Sequence, residues 1–210
     1  MKKLVVGFSG WMMMALAGSV LMGCTAESAA PADATGEAEM IQDEGPVTLE
    51  NFVSHPRIKA VRDLVTAVEQ GAHTVEKKDE LCGAPGDISR ELYLDAKERV
   101  RKAVYAAGDD HGVVTTTLYF GDEGTLRFAF EVHTGWSGNE NHRTEIRAYF
   151  SEAGERFFEA HRSHQWASNT DEPPIAKAAY DIPEADHELQ LADAWMTDPK
   201  AAFEAPADCW

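Results

Sequence analysis

The sequence predicts an α+β domain: a six-stranded antiparallel meander sheet of three repeated hairpins, with an N-terminal helix packed on one face. The first observation is an internal repeat, because residues 92–101, 118–127 and 148–157 align with one another. Each copy reads as a strand ending in Tyr plus an apolar residue, then a polar turn and a returning strand. The second observation is an amphipathic segment ahead of the repeats, which supplies a helix to cover the sheet.

The predicted helix covers residues 54–70. Ser54 is expected to cap it, Pro56 is tolerated in its first turn, and Gly71 is a natural stop. Residues 73–87 are expected to form a linker, because a Gly- and Pro-rich turn lies near its end. The apolar face of the helix consists of Ile58, Val61, Leu64, Val65 and Val68.

The repeats predict strands at residues 89–95, 98–106, 113–120, 125–134, 142–151 and 155–164. Two of the three repeat turns carry Gly where a positive φ is needed, and the first carries Glu98. Strict alternation then assigns side chains to two faces, and the helix is expected on the apolar one. That apolar face holds Leu118, Phe120, Leu126, Phe128, Phe130, Val132, Ile146, Ala148 and Phe150. The opposite, polar face holds Tyr93, Arg101, Tyr119, Arg127, Glu131, His133, Glu145, Arg147, Tyr149 and Phe157, with Tyr93 across from Arg101 and Tyr119 across from Arg127.

Beyond residue 164 the alternation fades. A short helix is expected within residues 189–195, and Phe203 is expected to pack onto the domain. Between the two longest strands, residues 135–141 read as a seven-residue loop, which is longer than most hairpin loops. Its Trp136 is interpreted either as the tip of a recognition loop or as a lid folded back on the sheet edge.

The N-terminus reads as an export signal, with Lys2 and Lys3 before an uncharged run that ends in Leu21-Met22-Gly23-Cys24. This ending resembles the lipobox of bacterial lipoproteins, although Met22 is larger than the usual residue there. The resemblance implies cleavage before Cys24 and a lipid on that cysteine, and Thr25 at the next position implies the outer membrane. An uncut membrane helix and ordinary cleavage after Ala30 are the alternatives. The predicted organisation is signal 1–23, disordered tether 24–46 and one domain 47–210.

The Tyr-Phe-x-x-x-Gly-x-Leu-Arg repeats resemble those of uncharacterised bacterial envelope lipoproteins that have curved meander sheets. The resemblance covers residues 92–164 and implies hairpins rather than an activity, so no site residue is carried over from it.

Charge and cysteine content narrow the classes of partner. The chain has 19 basic and 36 acidic residues and a net charge of −17, which argues against nucleic acid and anionic lipid surfaces. If Cys24 carries a lipid, Cys82 and Cys209 remain, and in an oxidising compartment that pair predicts a disulfide.

Two sets of residues are candidate sites. Tyr and Arg are enriched where binding energy concentrates, so the polar face and the Trp136 loop form the candidate binding surface; the alternative is that these side chains only stabilise neighbouring strands. Its residues are Tyr93, Tyr119, Trp136, Arg127, Arg147 and Tyr149. A metal site is the second candidate, because His142 and His164 are expected to face each other across two strands, with Glu140 or Asp110 as a third ligand. No cofactor is predicted.

The sequence carries none of the common hydrolase or phosphate-loop motifs. The leading hypothesis is therefore a non-catalytic, membrane-tethered periplasmic lipoprotein that binds a protein or glycan of the envelope. The first alternative is an inhibitor of a basic hydrolase such as lysozyme, since an acidic domain would associate with it rapidly. The second is a metal-dependent enzyme or metal carrier.

Overall fold

A computed structural model describes residues 45–82, 86–173, 179–182 and 193–206. The domain is α+β and rich in β structure: seven antiparallel strands form one sheet in the sequential order β1 to β7. The strands are β1 (Thr74–Leu81), β2 (Asp87–Leu94), β3 (Val100–Gly108), β4 (Gly112–Phe120), β5 (Leu126–Ser137), β6 (Glu140–Phe150) and β7 (Arg156–Ala167). The helices are α1 (Pro56–Gln70), α2 (Asp193–Thr197) and α3 (Pro199–Glu204).

The predicted count of six strands is wrong, because most of the expected linker forms the edge strand β1. This strand pairs with β2 along its whole length, from Thr74 opposite Leu94 to Leu81 opposite Asp87. Its sequence TVEKKDEL is dominated by charged residues, which hides the strand from a search for apolar alternation. Charge is also the usual protection of a sheet edge against pairing with other chains.

The three repeats form hairpins with the same turn and the same β-bulge. The turns place Glu98, Gly124 and Gly154 at equivalent positions, with φ of 59°, 81° and 81°. One extra residue follows each turn on the returning strand, so that Tyr119 pairs with Phe128 and Phe120 with Leu126. The first and third hairpins shift their registers at the corresponding Tyr and apolar residues.

Because of the bulges, several side chains lie on the face opposite to the predicted one. Each extra residue reverses the alternation in the rest of its strand. Arg127 is the extra residue of the second hairpin, so it does not pair with Tyr119 as predicted. Arg101 is likewise the extra residue of the first hairpin, and Tyr93 pairs with Lys102 instead. Beyond Arg127, Phe128 lies beside Tyr119 and Tyr149, whereas Ala129 lies beside Leu118 and Ala148. The predictions for Phe128, Phe130, Val132, Glu131 and His133 are therefore wrong, and each of these residues lies on the face opposite to the expected one.

We call the face that carries Tyr119, Tyr149 and Phe158 the helix face, because α1 packs there. Buried Ile58 and Val61 of α1 share a cluster with Tyr149 and Phe158. The helix begins at Pro56, and its cap is one residue later than expected: His55, rather than Ser54, is the cap, and its Nδ1 accepts the Arg57 amide at 3.2 Å. Gly71 ends the helix as predicted.

The opposite face, which carries Leu118, Phe120 and Glu131, is called the cleft face. Near the repeat turns it is covered by α2 and α3, not by α1 as predicted. Trp195, Ala202 and Phe203 pack there on Leu92, Leu94, Leu118 and Phe120. The Arg90 guanidinium anchors this cover, donating to the carbonyls of Ala202 at 3.3 Å and Ala205 at 2.7 Å.

At the other end of the sheet, β5 and β6 are longer than expected. Ser137 pairs with Glu140, so the predicted seven-residue loop is a two-residue turn at Gly138 and Asn139. Gly138 has a φ of 61°, as the first central residue of a tight hairpin turn requires. In the part of the chain that the structure describes, none of the helices has the length and hydropathy needed to span a bilayer.

Candidate functional site

A cleft of about 570 Å³ opens on the cleft face, at the end of the sheet away from the repeat turns. Tyr105 lines the cleft, and its ring packs edge-on against Trp195 of α2 with ring centroids 5.7 Å apart. The volume of the cleft is within the usual range of small-molecule sites. The lining residues are Cys82, Gly86, Tyr105, Ala107, Gly108, Asp109, His111, Gly112, Val113, Val114, Thr116, His133, Thr134, Gly135, Trp136 and His142.

A buried carboxylate lies behind the inner wall of the cleft. The Glu131 side chain is fully buried and is bonded by two residues that line the cavity. The Thr116 hydroxyl donates to its Oε2 at 2.9 Å, and His133 Nε2 lies 2.5 Å from its Oε1. Because both side chains are held by the same carboxylate, their orientations toward the cavity are fixed.

The wall beside β6 depends on a glycine. His142 is paired with Gly135, and its imidazole lies over the Gly135 backbone. A Cβ at Gly135 would lie 2.7 Å from His142 Cε1 and 2.8 Å from the His111 carbonyl oxygen. Only glycine therefore allows the ring, the strand and the β3–β4 connection to approach so closely.

The rim joins the end of β5 to the connection between β3 and β4. Trp136 is 49% exposed, and its ring stacks on His111 with centroids 5.4 Å apart. The indole Nε1 donates to the Asp110 carbonyl at 3.0 Å. The Asp109 carboxylate accepts the amides of His111 and Gly112, and these hydrogen bonds hold its pKa below the usual value. These contacts fix the conformation of the rim, and the half-exposed Trp136 ring presents a broad aromatic surface to solvent.

The lining suits an uncharged polar ligand. Among the described lining residues, Asp109 is the one carboxylate and there is neither lysine nor arginine, so these residues include no permanently positive side chain. Three imidazoles and two threonine hydroxyls offer hydrogen bonds. Tyr105 and Trp136 add flat apolar surface. A largely apolar wall that carries a few polar groups is the usual composition of a ligand pocket.

The tyrosines of the predicted binding surface are not free for a partner. Tyr119 and Tyr149 are 8% and 2% exposed, because α1 covers the helix face. The Tyr119 hydroxyl donates to Glu69 of α1 at 2.6 Å. Tyr93 is half-buried and donates to Glu91 at 2.8 Å, which raises the pKa of its hydroxyl to about 12. The expectation that this face is exposed is therefore wrong.

The predicted metal pair is not assembled. His142 pairs with Gln165, and His164 pairs with Arg143, so the two histidines lie on opposite faces of the sheet. The expected register is wrong by one residue. Within the described residues, the one compact group of metal-ligand types is Asp109, Asp110 and His111, which is exposed on the rim.

The remaining predicted site residues are divided between structural positions and undescribed segments. Arg127 donates from Nε to the Phe150 carbonyl at 3.3 Å, so it links two hairpins. Arg147 belongs to a cluster of arginines on the helix face. Cys82 lines the cleft just after β1, whereas Cys24 and Cys209 lie outside the described residues. The predicted disulfide and lipidation therefore remain predictions.

Sequence reasoning identified Trp136 and His142 but missed what surrounds them. Glu131, Thr116 and His133 were not recognised as a group, because the bulge at Arg127 determines which face they share. Alternation gives no signal of this bulge, because residues 126–128 also fit a regular strand. Comparisons with protein-family models, with curated proteins and with solved structures found no significant match.

Proposed function

We propose that the protein is a cell-envelope lipoprotein, anchored through a lipid on Cys24, whose domain binds an uncharged hydroxylated ligand such as a short envelope glycan. Binding takes place in the cleft, and the protein acts as a receptor or carrier rather than as an enzyme. Its location is the periplasmic side of the outer membrane.

The anchor is supported by the sequence Leu21-Met22-Gly23-Cys24 at the end of an apolar export signal. The low-complexity segment that follows, residues 25–46, suits a tether between membrane and domain. A net charge of −17 would keep such a domain away from anionic membrane surfaces.

The binding role depends on one observation, which is the cleft with Trp136 half-exposed at its rim. A sugar ring presents an apolar face of C–H groups and a perimeter of hydroxyls. The indole offers a flat surface to the first, and the imidazoles and threonine hydroxyls offer hydrogen bonds to the second. The position of His133 and Thr116 on a shared carboxylate reduces the entropy lost when a ligand is bound.

The anchor is tested by labelling cells with radioactive palmitate and fractionating their membranes. We expect the wild-type chain to be labelled and to sediment with the outer membrane, and a Cys24→Ser chain to be unlabelled. An unchanged Cys24→Ser protein in both assays would contradict the anchor.

The binding role is tested by titrating the full-length chain, in detergent, with a neutral N-acetylated disaccharide while following tryptophan fluorescence and calorimetric heat. Trp136→Ala is expected to weaken binding at least about tenfold, because it removes the aromatic surface at the rim. Trp166→Phe, on the other face, is the matched control and is expected to bind normally. Equal affinities for the Trp136→Ala and control variants, or no binding by the wild type, would refute the role proposed for the cleft.

A further inference from the structure

The helix face carries a second group of polar residues, at the end of the sheet away from the repeat turns. Three arginines converge there on one carboxylate, because Arg143 and Arg147 flank Glu145 on β6 and Arg162 lies directly opposite on β7. Glu145 Oε2 accepts Arg162 Nη2 at 2.7 Å and lies 3.0 Å from Arg147 Nη2, and its Oε1 accepts Arg143 Nη2 at 3.2 Å.

This cluster has more positive than negative charge. The Glu145 side chain is only 4% exposed, and the arginine side chains are 12–27% exposed, so water screens them weakly. Burial of Glu145 would raise its pKa, but the surrounding guanidiniums outweigh burial and lower it, so the group is a carboxylate. One carboxylate neutralises one of three guanidiniums. Arg147 lies 4.8 Å over the Phe130 ring and Arg162 lies 4.8 Å over the Tyr180 ring, and these contacts stabilise part of the surplus charge. Arg143 has no such ring contact among the described residues, so a further anion is most favourable beside it.

A second carboxylate, Glu172, balances this positive charge only in part. Glu172 lies at the edge of the cluster, with Oε1 3.8 Å from Arg143 Nε and 3.4 Å from His164 Nε2. Both distances exceed those of well-formed charge-assisted hydrogen bonds. The Glu172 side chain is also 40% exposed, so little holds it in place.

Some of the donor atoms of His164 and Arg143 have no hydrogen-bond partner among the described residues. Both ring nitrogens of His164 are buried and lack one, although the side chain as a whole is 13% exposed. The His164 ring is fixed by stacking on Trp166, with centroids 4.9 Å apart. Arg143 uses Nε and Nη2 toward Glu145, and its Nη1 makes no hydrogen bond to a described residue.

We propose that Arg143 and His164 form a binding site for an oxyanion, in which a phosphate or carboxylate group from solution takes the place of Glu172. The incoming group accepts hydrogen bonds from Arg143 and His164, and the surplus charge of Arg147 and Arg162 attracts it. Glu172 is then a weakly held internal occupant, which leaves when the ligand enters. This site is independent of the cleft, because it lies on the opposite face of the sheet.

The test is calorimetric titration of the full-length chain, in detergent at constant ionic strength, with sodium phosphate and separately with sodium acetate. Arg143→Gln is expected to weaken binding at least about tenfold, because a charge-assisted hydrogen bond is lost. Glu172→Gln is expected to strengthen binding several-fold, because it removes the competing carboxylate and leaves an exposed position that tolerates substitution. Lys97→Gln and Glu155→Gln make the same charge changes in exposed turns and are expected to bind as the wild type does.

Thermal unfolding with and without the anion gives a second measurement, since a ligand that binds only the folded state raises the midpoint. Binding of phosphate but not acetate assigns the site to phosphate groups, and binding of acetate shows that it accepts carboxylates. If neither anion binds the wild type or the Glu172→Gln variant, or if all variants bind equally, the proposal is wrong. Trp136→Ala is expected to leave anion binding unchanged, which separates this site from the cleft.

Discussion

Replacement of Tyr119 tests the position of α1 on the helix face. Tyr119 is 8% exposed, and its ring lies 5.8 Å from Phe128 and 5.6 Å from the Lys102 ammonium. Its hydroxyl donates to Glu69 of α1 at 2.6 Å, and Lys102 donates to the same carboxylate oxygen at 2.7 Å. The side chain is thus a direct link between the sheet and the helix.

The size of the effect follows from these contacts. Tyr119→Ala removes a buried aromatic ring, which costs about 3–5 kcal/mol. Tyr119→Phe removes only the hydroxyl, and because Glu69 is half-exposed and keeps Lys102, the loss is about 1 kcal/mol. For a domain of this size each kcal/mol lowers the melting temperature by roughly 2–4 °C, so the two variants are expected to melt roughly 10 °C and 3 °C lower.

The assay is thermal unfolding followed by circular dichroism, with Tyr93→Phe as the matched control. Tyr93 loses the same hydroxyl, but its hydrogen-bond partner Glu91 belongs to the sheet, so no hydrogen bond to α1 is lost. Combining Tyr119→Phe with Glu69→Gln is expected to cost less than the sum of the single changes, because both remove one interaction. A Tyr119→Ala protein that melts at the wild-type temperature would refute the packing of α1 on this face.

Three further predictions concern the first turn and the cysteines. Glu98→Gly is expected to raise the free energy of unfolding by up to about 1 kcal/mol in urea titrations, because the residue has a positive φ and the matching positions of the other turns are glycines. A hydrogen bond from Arg99 lowers the pKa of Asp95 to about 2, so its stabilising effect is present above about pH 4 and is lost as the pH falls toward 2. The stability difference between wild type and Asp95→Asn should shrink over that range, and a constant difference would contradict this. Non-reducing peptide mapping should find Cys82 linked to Cys209, and free thiols in exported protein would disprove the link.

The repeat made much of the sheet predictable. Aligned Tyr and apolar residues gave the positions of three turns, and the need for a positive φ explained two of the residues in them. What alternation does not reveal is a bulge, because Leu126-Arg127-Phe128 reads equally well as a regular strand. The helix was consequently placed on the wrong face, and a strand of charged residues, β1, was interpreted as a linker.

The candidate sites were less predictable than the sheet, for the same physical reason. Each β-bulge moves the residues that follow it in the strand to the opposite face. The face of a residue therefore depends on how many bulges precede it. Trp136 and His142 stood out by residue type alone, and both lie in the cleft. The Glu131 group and the Arg143 site require knowledge of pairing across strands, and one residue of register decides whether His164 meets His142 or Arg143.

The bulge arginines connect each hairpin to the following one. Arg101 donates to the Phe120 carbonyl at 3.4 Å and pairs with Asp122 at 2.6 Å, and Arg127 makes the equivalent contacts with Phe150 and Glu152 at 3.3 and 3.7 Å. In the last repeat the bulge residue is Phe157, and there Arg57 of α1 lies over its ring at 3.9 Å. Each link involves only adjacent units, as in a solenoid. A sheet of this design can gain or lose a whole hairpin by gene duplication or deletion, because the same arginine contacts would connect the new neighbours. The condition is that the terminal hairpin has an aromatic bulge residue which α1 can cover.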